Sequence, residues 1–259
     1  MIRGLYTSGW SMLAIQKKMD IVSNNMANVS TNGYKKDTLV LESFPALLTK
    51  IIRDYDGIPR SSHNIGTMEL GNDVGEVFTY YSQGQLTKTE NNLDMAIRDS
   101  NSAFFTVSVT DADGNVKEYY TRDGSFTKGS GNSLLTSEGY AVMGENGPII
   151  LGSGDFSVGE DGTVSQNGEV VDKLLIKEFT DTTALKKYGS NLVEADANAQ
   201  TQSFSGTVQQ GFTELSNVNI VREMVDMITV MRSYEANQKV LQAMDGTLEK
   251  AVNEVGAVG

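Results

Sequence analysis

The sequence predicts an α+β protein with a long helix at each end and an antiparallel, β-rich middle domain. Apolar residues recur at alternating steps of three and four near both termini, which is a helical pattern. The only prolines are Pro45, Pro59 and Pro148, so both ends lack the residue that breaks helix interiors. Through the middle, short strand-like runs alternate with Asn-Gly and Asp-Gly turns, which indicates hairpins.

The C-terminal segment carries the clearest helical pattern. Its apolar positions follow a heptad repeat, and the candidate assembly positions are Ile220, Met224, Met227, Met231, Tyr234, Leu241, Leu248 and Val255. Gln238 and Asp245 interrupt one row, and Met244 and Ala251 on the adjacent row take over there. The polar residues from Ser216 to Asn219 suit an N-cap region.

The N-terminal segment has the same spacing. Its continuous row consists of Leu5, Met12, Met19 and Met26. A run of polar residues ending in Gly33 then predicts the end of the helix, because glycine adopts a left-handed conformation without strain. Both stripes could simply close one domain's core as an internal hairpin. Their methionines and polar interruptions instead favour adaptable surfaces that accept several partners.

The middle of the chain predicts strands at residues 104–109, 116–121, 133–135, 140–143, 148–151 and 170–179. No alternation of strands with helices accompanies them, so a parallel sheet is not expected. Residues 44–53 suggest a short helix and residues 54–72 a loop that contains His63.

Composition excludes several kinds of site. The chain has no cysteine and one histidine, which excludes disulfides, thiolate metal sites and two-histidine metal motifs. Asp111 and Asp113 begin a calcium-like run that lacks the glycine and glutamate such a loop needs. We therefore expect no catalytic residues, no metal site and no cofactor. The weaker alternative is a polysaccharide hydrolase built on paired carboxylates of the β domain.

Charge is distributed unevenly along the chain. The net charge is −12, and residues 41–215 alone carry 12 basic and 25 acidic residues. An acidic middle argues against nucleic acid, whose phosphates require a basic face. No apolar run reaches the ~20 residues of a membrane-spanning helix, so we expect no membrane insertion. The N-terminus also lacks the pattern of a cleaved signal peptide.

Residues 23–36 resemble the N-terminal signature of flagellar basal-body rod and hook proteins, roughly Ser-Asn-Asn-x-Ala-Asn-x-x-Thr-x-Gly-Phe/Tyr-Lys. Residues 93–97, 120–126 and 135–140 are similar to the middle domain of rod proteins, and residues 216–245 to their C-terminal signature. The signature residues are Asn24, Asn25, Ala27, Asn28, Thr31, Gly33, Lys35, Ser216, Asn217, Arg232, Tyr234, Glu235 and Asn237. Trp10, Ser11 and residues 211–215 depart from the family pattern, which leaves the subtype open.

The resemblance implies a structural, non-enzymatic subunit of the rod, the axial shaft that transmits torque for motility. It implies that residues 1–40 and 216–259 pair as a coiled coil in the inner part of the shaft, with residues 41–215 as the outer domain. The implied partners are further copies, other rod and hook proteins and the flagellar export apparatus. The implied location is the basal body outside the cytoplasmic membrane, reached without a cleaved signal peptide. Other tube subunits, of a hook or a phage-tail-like assembly, are the alternative.

Overall fold

The computed structural model describes residues 2–43, 47–52, 62–68, 71–110, 115–152 and 154–255. The chain forms two compact units. The first unit consists of Met1–Asn24, Asp37–Phe78 and Val221–Gly259, and the second of Asn25–Lys36 and Thr79–Ile220. Residues 41–78, which the sequence assigned to the middle segment, are thus grouped with the terminal segments.

The structure contains two long helices, α1 (Ile2–Ala27) and α2 (Ile220–Lys250), and a π-helical turn over Ala251–Val255. The strands are β1 (Lys36–Ser43), β2 (Leu47–Ile52), β3 (Ser62–Met68), β4 (Asn72–Tyr80), β5 (Leu86–Lys88), β6 (Met95–Arg98), β7 (Ala103–Thr110), β8 (Val116–Thr121), β9 (Phe126–Lys128), β10 (Leu134–Thr136), β11 (Ala141–Gly144), β12 (Gly147–Pro148), β13 (Phe156–Val158), β14 (Thr163–Gln166), β15 (Glu169–Lys173), β16 (Ile176–Phe179), β17 (Leu185–Tyr188), β18 (Leu192–Ala195), β19 (Thr201–Gln202), β20 (Thr207–Gln210) and β21 (Phe212–Glu214). The predicted terminal helices and β-rich middle are confirmed.

A ten-stranded antiparallel sheet is the centre of the second unit. Its main strand order is β17-β18-β8-β7-β11-β10-β9, and β16 pairs with another part of β7. Strand β7 is buried on both faces, and its side chains alternate between two apolar clusters. Phe105 and Val107 face a large cluster that includes Phe126 and Leu134, whereas Phe104 faces a smaller cluster.

The hairpin between β14 and β15 follows directly from the sequence. Asn167 and Gly168 both have positive φ, at +54° and +86°, and they are the two residues between the strands. Two residues with positive φ match the right-handed twist of flanking strands, and asparagine and glycine adopt that conformation readily. The predicted Asn-Gly turn is therefore confirmed.

Two expectations for residues 44–72 are wrong. Residues 47–52 form strand β2 instead of a helix, and it pairs with β3 in a hairpin with a bulge after Thr49. His63 lies in β3 opposite Ile51, not in a loop. Because β-branched residues such as Thr49 and Ile51 favour strands, local propensity outweighs the short helical pattern here. The calcium-like run at 111–114 lies outside the described residues.

Candidate assembly site

The chain leaves α1 through a tight turn that only glycine fits. The N–H and the hydroxyl of Thr31 donate to the backbone and side-chain oxygens of Asn28. Gly33 follows with a φ of +69°, and a Cβ at this position would collide with the backbone of Arg122 and Asp123. A residue with a side chain would be both strained and displaced here. Gly33 therefore lets the following residues reach the interior of the second unit.

Tyr34 ties this segment to the last turn of α1. Its hydroxyl donates to Oδ1 of Asn25 at 3.1 Å, and both residues are buried. Nζ of Lys187 lies 3.7 Å from the centroid of the Tyr34 ring, in a cation–π contact. The same Nζ donates to the backbone oxygen of Lys35 at 2.7 Å. One lysine from β17 thus holds both the ring and the backbone of the segment.

A buried cluster of three charged residues lies beside that segment. Nζ of Lys35 is 2.5 Å from Oε1 of Glu214, and Nη1 of Arg122 is 3.1 Å from Oε2. The exposed fractions are 3% for Lys35 and 1% for each of the other two residues. One carboxylate therefore pairs with two cations at a buried site.

Neutral groups supply further hydrogen bonds to the cluster. Lys35 also donates to the backbone oxygen of Ser82 at 2.8 Å, and the N–H of Gly84 donates to Oε1 of Glu214 at 2.7 Å. Arg122 donates to the backbone oxygen of Ser100, and its guanidinium lies 5.3 Å from the Phe104 ring centroid. Buried charges require this kind of compensation, because each has lost its hydration.

Burial changes the proton affinity of both cations. It lowers the pKa of Lys35 to about 8, with the nearby charge of Arg122 contributing, although the charge and hydrogen bond of Glu214 oppose the change. Burial likewise lowers the pKa of Arg122, against the opposing attraction of Glu214. Lowered values for cations mean that the charged forms are held at a cost in free energy.

The backbone beside the cluster joins residues near the two ends of the chain. The N–H of Gly33 donates to the oxygen of Glu214 at 2.8 Å, and the N–H of Lys36 donates to Oδ1 of Asn217, also at 2.8 Å. The Asn217 amide group donates in turn to the oxygen of Tyr80 at 2.8 Å. We call residues 33–36, Arg122 and residues 214–217 the clasp. It lies wholly within the second unit.

The signature residues fall into two groups. Those near the clasp are Asn25, Gly33, Lys35 and Ser216, which are buried, Asn28, Thr31 and Asn217, which are half-buried, and Asn24 and Ala27, which are exposed. Those on α2 are Tyr234 and Asn237, which are half-buried, and Arg232 and Glu235, which are exposed. The structure brings residues 33–36 and 214–217 together, although 179 positions separate Lys35 from Glu214.

The candidate assembly positions on the helices also divide by exposure. The half-buried ones are Leu5, Met12, Met19, Met26, Met227, Tyr234, Leu241 and Leu248, and the exposed ones are Ile220, Met224 and Met231. The side chain of Val255 lies outside the described part. On α2 the fully buried residues are Glu223 and Val230, one position before Met224 and Met231. In this single chain, Met224 and Met231, which share a row of the heptad with Gln238 and Asp245, therefore face solvent.

Sequence reasoning did not single out Arg122 and Glu214 as site residues. A signal for Glu214 was present, because it is the only charged residue between Asp196 and Arg222. An isolated charge between apolar residues such as Phe212 and Leu215 suggests burial with a partner. No comparable pattern indicates that Lys35 and Arg122 are its partners.

The clasp consists of structural contacts, namely ion pairs and hydrogen bonds. Within the residues that the structure describes, no group of three or more His, Cys, Asp or Glu side chains is arranged to hold a metal ion. A search of the same residues finds no helix with the length and apolar character to cross a membrane. The geometry instead resembles a joint that holds distant segments of the chain together.

Comparisons with known families match three separate regions of the chain. Residues 5–35 match the family described as flagella basal body rod protein, and residues 209–254 match the C-terminal region of flagellar basal body rod FlgEFG proteins. Residues 100–166 match the D1 domain of flagellar hook protein FlgE/F/G. These regions contain Lys35, Glu214 and Arg122 respectively, so each contributes one charge to the clasp.

Curated relatives match the chain from end to end. The flagellar hook-basal body complex protein FlhO of Bacillus subtilis is 32% identical over 100% of both chains. The flagellar basal-body rod protein FlgG of Buchnera aphidicola from Schizaphis graminum is 35% identical over 96% of this chain and 98% of its own. FlgG of Bacillus subtilis is 31% identical, over 98% and 99%. The chain belongs to the flagellar basal-body rod protein family and is a structural subunit of the rod.

Proposed function

We propose that the chain polymerises through its two terminal helices, which pair as a coiled coil within each subunit and pack against neighbouring subunits. The observation that carries this proposal is the apolar surface that both helices still expose. On α1, Tyr6, Trp10 and Leu13 are exposed at helical spacing. On α2, the exposed apolar residues of the first half include Val221, Met224, Val225, Ile228 and Met231.

A contact between the helices supports pairing within the subunit. A Cβ at Gly4 would lie 2.5 Å from Cε of Met244, so the start of α1 is close to the end of α2. The residues buried in α1 include Ser8, Ala14 and Val22. Small residues on one helix let a second helix approach closely, and methionine fills the irregular gaps that remain. Because the start of α1 lies near the end of α2, the two helices form an antiparallel pair.

The exposed faces supply the driving force for association. Fully burying a large apolar side chain contributes ~1.5–3 kcal/mol, and about half of each of these side chains is still exposed in the subunit. Each one therefore adds about 1 kcal/mol when a neighbour covers it. A head-to-tail helical array repeats the same contacts at every subunit. The small contributions of the individual side chains therefore add up along the array.

Replacing Ile228 with aspartate tests this proposal. Ile228 is 53% exposed, so the variant should fold as the unchanged protein does, with the same circular dichroism spectrum and melting temperature. A carboxylate buried against a neighbour without a partner costs several kcal/mol, so rod assembly should fail. The measurement is electron microscopy of basal bodies, together with the swimming halo, in a strain that depends on the variant.

Gln242→Asp is the matched control. Gln242 is an exposed polar residue of the same helix, so the added charge should leave assembly intact. Normal rods and normal swimming with Ile228→Asp would contradict the proposal. Loss of assembly with both variants would indicate that any negative charge on α2 is harmful, and would not support the apolar face.

We also infer that the subunit contacts other axial proteins of the rod and hook and leaves the cytoplasm through the flagellar export apparatus. The family supports axial contacts in general. The inference of this export route rests on membership of the flagellar rod family. Detection of the chain in the cytoplasm alone, in a strain whose export apparatus has been inactivated, would support it. Secretion unchanged in that strain would contradict it.

A further inference from the structure

The clasp holds the peptide bond between Lys35 and Lys36 from both sides. The carbonyl oxygen of Lys35 accepts a hydrogen bond from Lys187, and the N–H of Lys36 donates to Asn217. The N–H of Gly33 is bonded to the oxygen of Glu214. The segment that follows α1 is therefore fixed to the segment that precedes α2 by hydrogen bonds and without a covalent link.

The charge of Lys35 is not needed to neutralise Glu214. Arg122 already approaches one carboxylate oxygen of Glu214, and the N–H of Gly84 donates to the other. Without Lys35, one cation and one anion would remain, each with a partner. Lys35 brings a second cation into a buried site, and the loss of its hydration costs free energy. The role of Lys35 is therefore not to balance the charge of Glu214.

The role of Lys35 is to position the segments of the chain that it contacts. Its ammonium group reaches the oxygen of Ser82 and the carboxylate of Glu214, which lie in separate segments of the second unit. Its backbone is held at the same time by Lys187. A buried ionic group that meets its partners in a single geometry selects one arrangement of the segments that carry it. Here those segments are the connection that follows α1, the connection that precedes α2 and the loop between β4 and β5.

We propose that Lys35 is a positioning residue for assembly: by closing the clasp it holds the segment that follows α1 and the segment that precedes α2 in one arrangement, which assembly requires. This inference rests on the proposed polymerisation through the helices. Asn217 has the same role, because it binds the backbone of Lys36. Arg122 and Glu214 form the ion pair that Lys35 joins.

The test compares Lys35→Met with Lys88→Met in full-length protein. Lys88 is a suitable control because it lies in β5, which pairs with the strand that carries Glu214, yet its side chain is 64% exposed and its ion pair with Glu90 spans 3.6 Å. Hydrogen exchange measured by mass spectrometry reports on the clasp through the amides of Gly33 and Lys36. Amides of β7 report on the body of the second unit.

We expect Lys35→Met to exchange at Gly33 and Lys36 at least tenfold faster, with unchanged exchange in β7 and an unchanged melting temperature. Rod assembly in cells should be lost, whereas Lys88→Met should match the unchanged protein in all three measurements. If Lys35 only stabilised the fold, its substitution would lower the stability of the second unit whenever it blocked assembly. Unchanged exchange at Gly33 and Lys36, or normal rods despite fast exchange, would overturn the inference.

A second variant covers the case in which Lys35→Met lowers the melting temperature. Asn217→Ala removes the acceptor of the Lys36 N–H and leaves the charged cluster intact. It should open the same two amides and block assembly, and normal assembly with open amides would overturn the inference. The Ile228→Asp result keeps the two proposals distinct. If Ile228→Asp blocks assembly and the clasp variants do not, only the positioning role fails.

Discussion

Glu214 accepts from two cations at once, because Lys35 and Arg122 each approach one of its carboxylate oxygens. The three residues therefore contribute unequally to stability. Removal of Glu214, the shared anion, leaves two positive charges buried without a carboxylate. Removal of one cation leaves one positive and one negative charge that still pair. At the scale of single residues, the effect of a substitution depends on whether the buried groups that remain still have a hydrogen-bond or ion-pair partner.

Glu214→Leu should destabilise the protein far more than Lys35→Met. The first variant leaves Lys35 and Arg122 buried without a carboxylate, which costs about 3–5 kcal/mol of the free energy of unfolding. The second leaves Arg122 and Glu214 paired and should change the free energy of unfolding little. Urea denaturation of both variants measures the difference, and equal losses would show that the cluster does not share one anion.

Lys35 should also make the stability depend on pH. Its pKa is about 8 in the folded protein, against 10.5 for an ordinary exposed lysine, so the unfolded chain binds more protons between these values. Stability contributed by this group therefore rises as the pH increases from about 8 to 10.5, by at most about 3 kcal/mol. The charges that face this ammonium group are those of Glu214 and Arg122.

The measurement is the difference in unfolding free energy between the unchanged protein and Lys35→Met across that range. Taking the difference removes the titration of tyrosines and exposed lysines, which both proteins share. A difference that stays constant with pH would contradict the lowered pKa of Lys35.

At the scale of elements, the sequence predicted what local pattern determines. The helices, the strands β7 and β8 and the turn at Asn167 and Gly168 all follow from periodicity or turn chemistry within about ten residues. Strand β2 was missed because a short apolar run suits a helix and a strand equally. Strand β3 was missed because its mostly polar residues suggest a loop. The clasp could not be predicted, since its hydrogen bonds span 92 positions from Arg122 and 179 from Lys35 to Glu214.

The contact between Gly4 and Met244 permits a test of helix pairing. Gly4→Leu places a side chain where Cε of Met244 lies, so it should push the helices apart and lower the melting temperature of the helical signal. Met244→Ala in the same chain removes the obstructing atoms and should restore much of that loss. The measurement is circular dichroism at 222 nm for the two single variants and the double variant. Additive losses would argue against a direct contact between the helices.

At the scale of the whole molecule, the exposed apolar area sets the mode of association. Taking roughly 100 Å² from each half-exposed side chain, the eight residues on α1 and α2 offer on the order of 800 Å². A stable pair of proteins buries about 1,200–2,000 Å² in total. A head-to-tail contact between the α1 face of one subunit, about 300 Å², and the α2 face of the next, about 500 Å², buries about 800 Å² in total and falls short of this range. A subunit with such contacts to several neighbours in an array does not. The free chain should be monomeric at micromolar concentration.

Charge adds a second condition for growth. Each subunit carries a net charge of −12, so subunits repel one another at low ionic strength, when the screening length is about 30 Å at 0.01 M. At 1 M the length falls to about 3 Å, and the apolar faces then act almost unopposed. We expect sedimentation to show monomers at 0.01 M salt and growing polymers as salt rises. Polymers that dissolve with added salt would instead show that ion pairs, and not the apolar faces of the helices, hold the subunits together.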